Sequence, residues 1–390
     1  MSDIMKLAIV TTHPIQYNAP WFKLLAAETE VDLKVFYTWE QSNRVEKFDP
    51  GFGKVVSWDI PLLDGYEYTF VKNTSNDPGS HYFNGIVNPT LNNEIELWGA
   101  DAVLVFGWPF KSHLACIKYF HGKIPVLFRG DSTLLDEKQG VKKILRRLFL
   151  RYVYSFVDYA LYVGTNNKKY FLAHGLKEKQ LVFVPHAIDN KRFTENKEQY
   201  INEAVVWRKK LNISPDDFVV LFAGKFNNKK NPFFLLQLAQ QLNDSYFKFV
   251  FVGNGELEQD LKTAVNDRRI IFLDFQNQSK MPVVYQLADL FVLPSVGPGE
   301  TWGLAINEAL ASGKYVVTTT KAGGAVDLIV NNDNGLIIDT NDVVAAAEFI
   351  RNLAGNNKKG NFNDNKQLLE KYSFDNIVYQ IKQLLLNLSN

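Results

Sequence analysis

Cysteine is almost absent. The one residue of that type, Cys116 in 390, excludes an intramolecular disulfide and a cysteine-based zinc cluster. Net charge is nearly absent too: 43 Lys and Arg against 42 Asp and Glu leave +1. A chain so balanced has no general electrostatic attraction for nucleic acid. No apolar run approaches the roughly 18 residues of a membrane span, so any membrane contact is expected to be peripheral. The first residues run almost directly into a strand pattern rather than the layout of a secretion signal. A reducing, cytoplasmic setting is therefore the expectation. There is no short-period repeat and no low-complexity tract. What is present is a globular composition, 46% hydrophobic and 22% charged, in a chain too long for one ordinary core.

Short apolar runs alternate with helical patterns throughout. Strands are expected at Lys6–Thr12, Val31–Trp39, Tyr66–Asn73, Asp101–Trp108, Ile124–Arg129, Tyr159–Gly164 and Leu181–Pro185. After the second comes a long irregular stretch, Glu40 to Pro89, that contains the third. Polar sequence from Asn190 to Gln199 reads as a linker, after which the pattern restarts. Strands follow at Phe218–Ala223, Phe247–Val252, Ile270–Leu273, Leu290–Pro294, Tyr315–Thr319 and Gly335–Ile338, each followed by a helix. The Asn- and Lys-rich segment Gly355–Asn365 reads as an exposed loop. This alternation predicts α/β architecture: two doubly wound, Rossmann-like domains facing a central cleft, 1–190 and 191–374. A last helix over 375–390 is expected to pack back toward the first. Ligands of such sheets bind beyond the carboxyl ends of the strands. That gives weight to His13, Trp108, Arg129 to Ser132, and His186 to Asp189.

The stretch from Pro294 to Asp339 carries the densest signals. Glu300 and Glu308 stand eight positions apart, with Gly297, Gly299 and Gly303 leading into an apolar helix, Leu304–Ala311. A helix start exposes unpaired N–H groups and a partial positive charge, a ready phosphate site. If the intervening turns are helical, eight residues cover about 12 Å, close to the reach from ribose to hexose in a nucleotide sugar. The same residues also read as a surface helix with an ordinary acid at each end. Lys225 and Lys230 lie just past the end of Phe218–Ala223 and could neutralise a diphosphate without a metal. A solvated basic turn is the plainer reading. Gly253-Asn254-Gly255 follows the next strand as another tight turn.

With these pieces in order, the second half resembles glycosyltransferase family 4, the retaining enzymes of the GT-B fold. The resemblance rests on Gly224-Lys225 with Lys230, Val252-Gly253-Asn254-Gly255, Ala288-Asp289-Leu290 with Pro294-Ser295, and Glu300 with Glu308 before Ala309-Leu310-Ala311. Gly323-Gly324 and Asn334-Gly335 also match. The first half is similar more loosely, through His13-Pro14, Arg129-Gly130-Asp131-Ser132 and Val184-Pro185-His186-Ala187-Ile188-Asp189. Polysaccharide-assembly members share His13-Pro14-Ile15-Gln16-Tyr17 and Trp58-Asp59.

The resemblance implies a retaining hexosyltransferase. It would move sugar from a nucleotide diphosphate, UDP before GDP, to a glycan or lipid-linked glycan in cell-surface polysaccharide synthesis. Glu300 would hold donor-sugar hydroxyls and Glu308 the ribose. N–H groups near Trp302, Gly303 and Leu304 would hold the distal phosphate, with Lys230 and Lys225 on the diphosphate. Gly253, Asn254 and Gln276, in or near the loop bordering the base, and His13 complete the expected donor set. Arg129 joins Glu300, Lys230 and Lys225 as a candidate at the reacting centre, and Asp131, Ser132 and Trp108 as acceptor candidates. No metal and no cofactor are expected. Two departures stand out: Lys225 replaces an Arg common in the family, losing its bidentate fork, and Arg129 replaces a His. An arginine cannot serve as general base. A non-catalytic partner subunit of the same fold, or a nucleotide-sugar epimerase, is the alternative.

Segment Glu137 to Phe156 alternates Lys142, Lys143, Arg146, Arg147 and Arg151 with Ile144, Leu145, Leu148, Phe149 and Tyr152. Such a basic amphipathic helix can lie on an anionic membrane surface. It can equally pack its apolar face on the sheet and solvate its charges.

Overall fold

The computed structural model of the chain describes residues 4–40, 47–49, 53–56, 58–330, 332–356 and 365–389. Its contacts divide into two units. Unit 1 is Met1–Val45, Pro61–His186 and Ser373–Asn390; unit 2 is Glu46–Ile60 and Ala187–Tyr372. The changeover expected after residue 190 thus comes after His186, and residues 46–60 group with unit 2 rather than with their sequence neighbours.

The strands of the first half are β1 (Met5–Thr11), β2 (Val31–Tyr37), the short pair β3 (Lys47–Asp49) and β4 (Lys54–Val56), and β5 (Glu67–Phe70). Then come β6 (Ala102–Phe106), β7 (Val126–Arg129), β8 (Tyr159–Tyr162) and β9 (Leu181–Phe183). The second half supplies β10 (Phe218–Ala223), β11 (Phe247–Val252), β12 (Ile270–Leu273), β13 (Leu290–Leu293), β14 (Tyr315–Thr319) and β15 (Gly335–Ile338).

In unit 1, seven described strands form one parallel sheet in the order β5-β2-β1-β6-β7-β8-β9. β1 is apolar and buried almost throughout, as a central parallel strand covered on both faces requires. Its register sets Met5 beside Val31 and Thr11 beside Tyr37. Val10, Phe36, Val105, Ile117 and Phe128 are among the side chains of one core layer. The final helix, Phe374–Ser389, packs on the helix Ala19–Ala26 and against β1 and β9. It buries Ile377, Ile381, Leu384 and Leu385, and Lys382 reaches Glu28 at 2.8 Å and Glu30 at 2.9 Å.

In unit 2, the described strands of the main sheet run β12-β11-β10-β13-β14-β15, all parallel. Both large sheets therefore grow outward in one direction from their first strand and then in the other. The reversal falls between β1 and β6 in unit 1 and between β10 and β13 in unit 2. Loops leaving neighbouring strands there diverge to opposite faces and open a crevice.

The linker reading of Asn190–Gln199 is overturned. Helices occupy Asn190–Thr194 and Lys197–Lys210. Asp189 caps the first by accepting from the Arg192 N–H, and Asn190 donates to the carbonyls of Leu369 and Tyr372. The second buries Ala204 against Val283 and Leu287. Within Gly355–Asn365, residues 357–364 lie outside the described residues. The helix expected over Glu137–Phe156 is Val141–Tyr154.

Gly335 shows how tightly β14 and β15 meet: a Cβ there would stand 2.1 Å from the Val316 carbonyl oxygen. Gly335→Ala is expected to lower stability by about 3 kcal/mol through overpacking, measured as a shifted urea midpoint with an unchanged slope.

Candidate functional site

The loops that follow β10 and β13 meet at the reversal of the unit 2 sheet. Lys230, on the first, places its Nζ 2.6 Å from Oε2 of Glu300 on the second. Glu300 is 7% exposed and also accepts from the Ser295 hydroxyl at 3.0 Å. A carboxylate this far from water needs such partners, because desolvation disfavours its charge. Backbone bonds hold the two loops in place: the Val296 N–H donates to the Lys229 carbonyl at 2.9 Å, and the Lys229 ammonium to the Gly299 carbonyl at 3.3 Å. The loop after β14 joins them, with the Gly323 and Gly324 N–H groups donating to the carbonyls of Glu300 and Trp302. Lys225 sits on the same post-β10 loop as Lys230.

Glu300 is not on the helix. Gly303 takes φ 94° and heads the helix Leu304–Ala311, so residues 300–302 form loop. The 12 Å estimate from helical rise does not describe the Glu300–Glu308 span. A side chain at Gly303 would also meet Leu293 Cδ2 at 2.9 Å. No side chain caps this helix, and its first N–H groups are those that a helix leaves without intrahelical partners. Inside the helix Glu308 is buried, and Tyr285 donates its hydroxyl to Glu308 Oε2 at 2.9 Å. Trp302 is buried, its indole N–H donating to Asn307 Oδ1 at 2.9 Å.

After β11, Gly253 takes φ 142°, and a Cβ there would lie 2.0 Å from the Gly224 carbonyl oxygen, so the two strand ends touch through backbone alone. Asn254 braces the next loop: its amide donates to Glu258 Oε2 at 2.9 Å and Asp274 Oδ1 at 3.0 Å, and its carbonyl oxygen accepts from the Phe275 N–H at 2.9 Å. Gln276 turns back on the Asp274 carbonyl. Asp59 also holds this loop, accepting from the Ser279 N–H at 3.2 Å and from its hydroxyl. Trp58 meets Phe275 edge-on at 6.3 Å.

His13, Trp108, Arg129, Asp131 and Ser132 belong to unit 1. Thr12 and His13 bond at 2.9 Å, and the His13 ring stands edge-on to Trp39. Arg129 is not open to a ligand in the way expected of a reacting-centre candidate. Its guanidinium is buried and donates to the carbonyls of Val184 at 2.8 Å and Pro185 at 2.9 Å. Burial pulls its pKa down to about 10 against the opposing pull of Asp131, so it stays charged at neutral pH. Its visible work is to clamp the segment leading to His186, which reaches Asp131 at 3.5 Å. Burial lowers the pKa of His186, and Asp131 pulls the other way. Ser132 accepts through its carbonyl from Asn167, and Trp108 packs edge-on against Phe149.

Beneath these loops a neutral network joins β1, β2 and β6. His113 is fully buried, with Nε2 2.8 Å from the Thr38 hydroxyl and Nδ1 2.9 Å from the Phe106 carbonyl. Asn88 donates to the carbonyls of Thr38 and Val71.

Comparison with known proteins bears on unit 2 directly. Residues 205–369 match the family profile for glycosyl transferases group 1. Those residues lie in the second unit, which is therefore the part of the chain that is similar to the family. An Escherichia coli UDP-Gal:alpha-D-GlcNAc-diphosphoundecaprenol alpha-1,3-galactosyltransferase is 30% identical over 41% of this chain and 41% of its own length. A Campylobacter jejuni alpha-1,4-N-acetyl-D-galactosaminyltransferase acting on an undecaprenol-linked glycan is 25% identical over 72% of this chain and 73% of its own. The match therefore spans about two fifths of the first relative and nearly three quarters of the second. Among solved structures, Anabaena Alr3699/HepE in complex with UDP superposes with a TM-score of 0.71 at 16% identity, covering 98% of this chain and 99% of that one. The fold is GT-B, two parallel-sheet Rossmann-like units.

Sequence reasoning passed over Tyr285, which sits in an apolar run with no polar pattern around it, and quoted Ser295 within its motif without giving it a role. His113 gave no signal beyond its type.

Two predictions follow from this chemistry. Replacing Lys230 by Met strands the Glu300 carboxylate and is expected to cost about 3 kcal/mol; the double variant with Glu300→Gln is expected to be the more stable of the two, read by urea unfolding. His113 has its pKa lowered from 6.5 to about 4 by burial. It is neutral when folded and takes up a proton when unfolded, so its contribution is full above pH 6.5 and disappears as pH falls toward 4. The expected loss is on the order of 3 kcal/mol. Unfolding curves at pH 7, 5.5 and 4 measure it, and His113→Gln flattens that part of the profile.

Proposed function

We propose that this protein is a retaining, metal-independent glycosyltransferase. It takes a hexose from a UDP-sugar, with GDP-sugars second, and passes it to a glycan or lipid-linked glycan in cell-surface polysaccharide synthesis. The observation that carries the reading is the meeting of Lys230, Glu300 and the uncapped helix start at Gly303 where the unit 2 sheet reverses, with Glu308 held one turn inside. Cations and N–H groups there match a diphosphate, and carboxylates to either side match the hydroxyls of a ribose and a hexose. The UDP in the Anabaena complex and the UDP-galactose in the E. coli relative's name support the choice of base. The undecaprenol-linked acceptors in both relatives' names support the choice of acceptor. Such an acceptor sets the reaction in the cytoplasm at the membrane face.

In this reading Glu308 holds the ribose and Tyr285 orients Glu308. The N–H groups of Gly303 and Leu304 and the ammonium groups of Lys230 and Lys225 take the diphosphate. Glu300 exchanges Lys230 for sugar hydroxyls as the donor's own negative charge arrives. Asn254 and Asp59 position the 274–279 loop beside the base, where Gln276 lies. Unit 1 offers Asp131, Ser132 and Trp108 to the acceptor, with Arg129 as a clamp. The bond from the anomeric carbon to the leaving phosphate oxygen breaks as the acceptor hydroxyl oxygen bonds to the same face. The hydroxyl proton passes to the departing phosphate oxygen, so no side-chain base is required. The protein contributes position and charge at the phosphate.

Thermal shifts with UDP, GDP, ADP and CMP test the donor site. A nucleotide at 100 times its dissociation constant adds about 2.7 kcal/mol. UDP is expected to stabilise the native chain and to lose at least about ten-fold in affinity in Glu308→Ala and Tyr285→Phe, each removing a hydrogen bond that involves a charged group. Silence with all four nucleotides overturns the reading. Turnover is expected to persist in EDTA, and NMR of the product to show the donor's anomeric configuration.

A further inference from the structure

We propose that the helix Val141–Tyr154 is a membrane-docking element, laying an outward apolar stripe into the surface of an anionic lipid bilayer. The helix is apolar on two opposite sides. Leu150, Val153 and Tyr154 are buried in the unit 1 core. At about 100° per residue they occupy one side. Val141, Ile144, Leu145, Leu148 and Tyr152 fall on the other, within an arc of about 100°. These five are 72%, 59%, 61%, 57% and 50% exposed. A helix packed on a sheet normally turns a polar face outward; here the outward face is the more apolar of the two.

Cations border the stripe. Lys142 flanks it on one side and Arg151 on the other, and Arg146, further round toward the packed side and donating to the Tyr170 hydroxyl at 3.5 Å, adds a third; all three are exposed. Lys143 and Arg147 lie nearer the packed side and share Glu137 at 2.8 and 2.9 Å, which ties the helix start to the segment before it. Aliphatic side chains at the centre with long basic ones at the rim match the acyl and headgroup layers of a bilayer, the basic stems reaching up to the phosphates. Fourteen residues give about 21 Å of helix, too short to cross, and no described helix of the chain is long and apolar enough to do so. The helix therefore lies along the surface. A second copy of the chain is a poorer occupant, because a two-fold contact sets each basic rim near its own image. The surface belongs to unit 1 alone and stands independently of the transfer reaction.

Vesicle co-sedimentation of the full chain tests it, using phosphatidylcholine vesicles with and without about 30% phosphatidylglycerol. Three variants accompany the native chain: Leu145→Glu/Leu148→Glu for the stripe, Lys142→Glu/Arg146→Glu/Arg151→Glu for the rim, and Leu97→Glu, an exposed site on another helix, as control. All sit at exposed positions, and thermal melts verify that they fold. The native chain and the control are expected to pellet with the anionic vesicles only. The rim variant is expected to bind about a hundred-fold more weakly, the stripe variant at least about ten-fold. Native chain left in the supernatant overturns the proposal. So does a stripe variant that pellets as well as the native chain, since charge alone then accounts for binding. A native dimer that the stripe substitutions dissociate also overturns it, assigning the face to a second copy.

Discussion

Glu300 is a carboxylate held almost out of water, and Lys230 is what makes that tolerable. A lone buried charge is among the costliest features a fold can carry. The 2.6 Å pair therefore does more than neutralise: it fixes the loop after β10 to the loop after β13. The Val296 to Lys229 backbone bond and the Lys229 contact with Gly299 follow the same line. Once these loops are joined, the start of the helix headed by Gly303 is held beside them. The pair thus holds the site in shape.

Both units open a crevice at the same topological place, yet the chemistry beneath each differs. In unit 2 the loops at the reversal are held by charge and by glycines whose backbones touch, as Gly253 does the Gly224 carbonyl. In unit 1 the corresponding support is neutral: His113, Thr38 and Asn88 join three strand ends through hydrogen bonds. A buried neutral network rigidifies without setting up a field. A charged one sets up a field suited to an anion. One scaffold used twice in this way carries a charged support in one unit and a neutral one in the other.

Much of the fold was legible because central parallel strands, buried on both faces, read as uninterrupted apolar runs. β10, β11 and β12 begin and end where the sequence places them, and the helix Leu304–Ala311 does the same. What failed has identifiable causes. Asn190–Gln199 looked like a linker because its polarity is real, but Asp189 caps one helix there and Ala204 anchors the next against Val283 and Leu287. The helical span considered for Glu300 to Glu308 does not hold, because spacing alone cannot register the left-handed turn at Gly303. Within the site, Lys230, Glu300 and Glu308 were visible as unusual residues at strand ends. Tyr285 and the brace from Asp59 to Ser279 were not, since each acts across a sequence distance that no local pattern records.

The basic segment shows the same limit from the other side. Its pattern of cations and apolar residues was plain, but a pattern gives period, not direction. Ile144, Leu145 and Leu148 could have faced the sheet, leaving a solvated basic surface and nothing to explain. The sheet instead takes Leu150, Val153 and Tyr154, while Phe149 reaches sideways to Trp108. That choice follows from packing: an aromatic and two aliphatics spaced three and four apart fill the inner layer beside Phe128 and Phe171. Of the apolar residues left over, Tyr152 meets Lys118 and Phe156 at its edge. A helix that satisfies its own core with three side chains and still carries six exposed apolar ones has an excess that its core does not take up. In a chain with otherwise balanced charge, the same helix also concentrates cations. Apolar surplus and positive charge together point to a surface that offers hydrocarbon beneath phosphate.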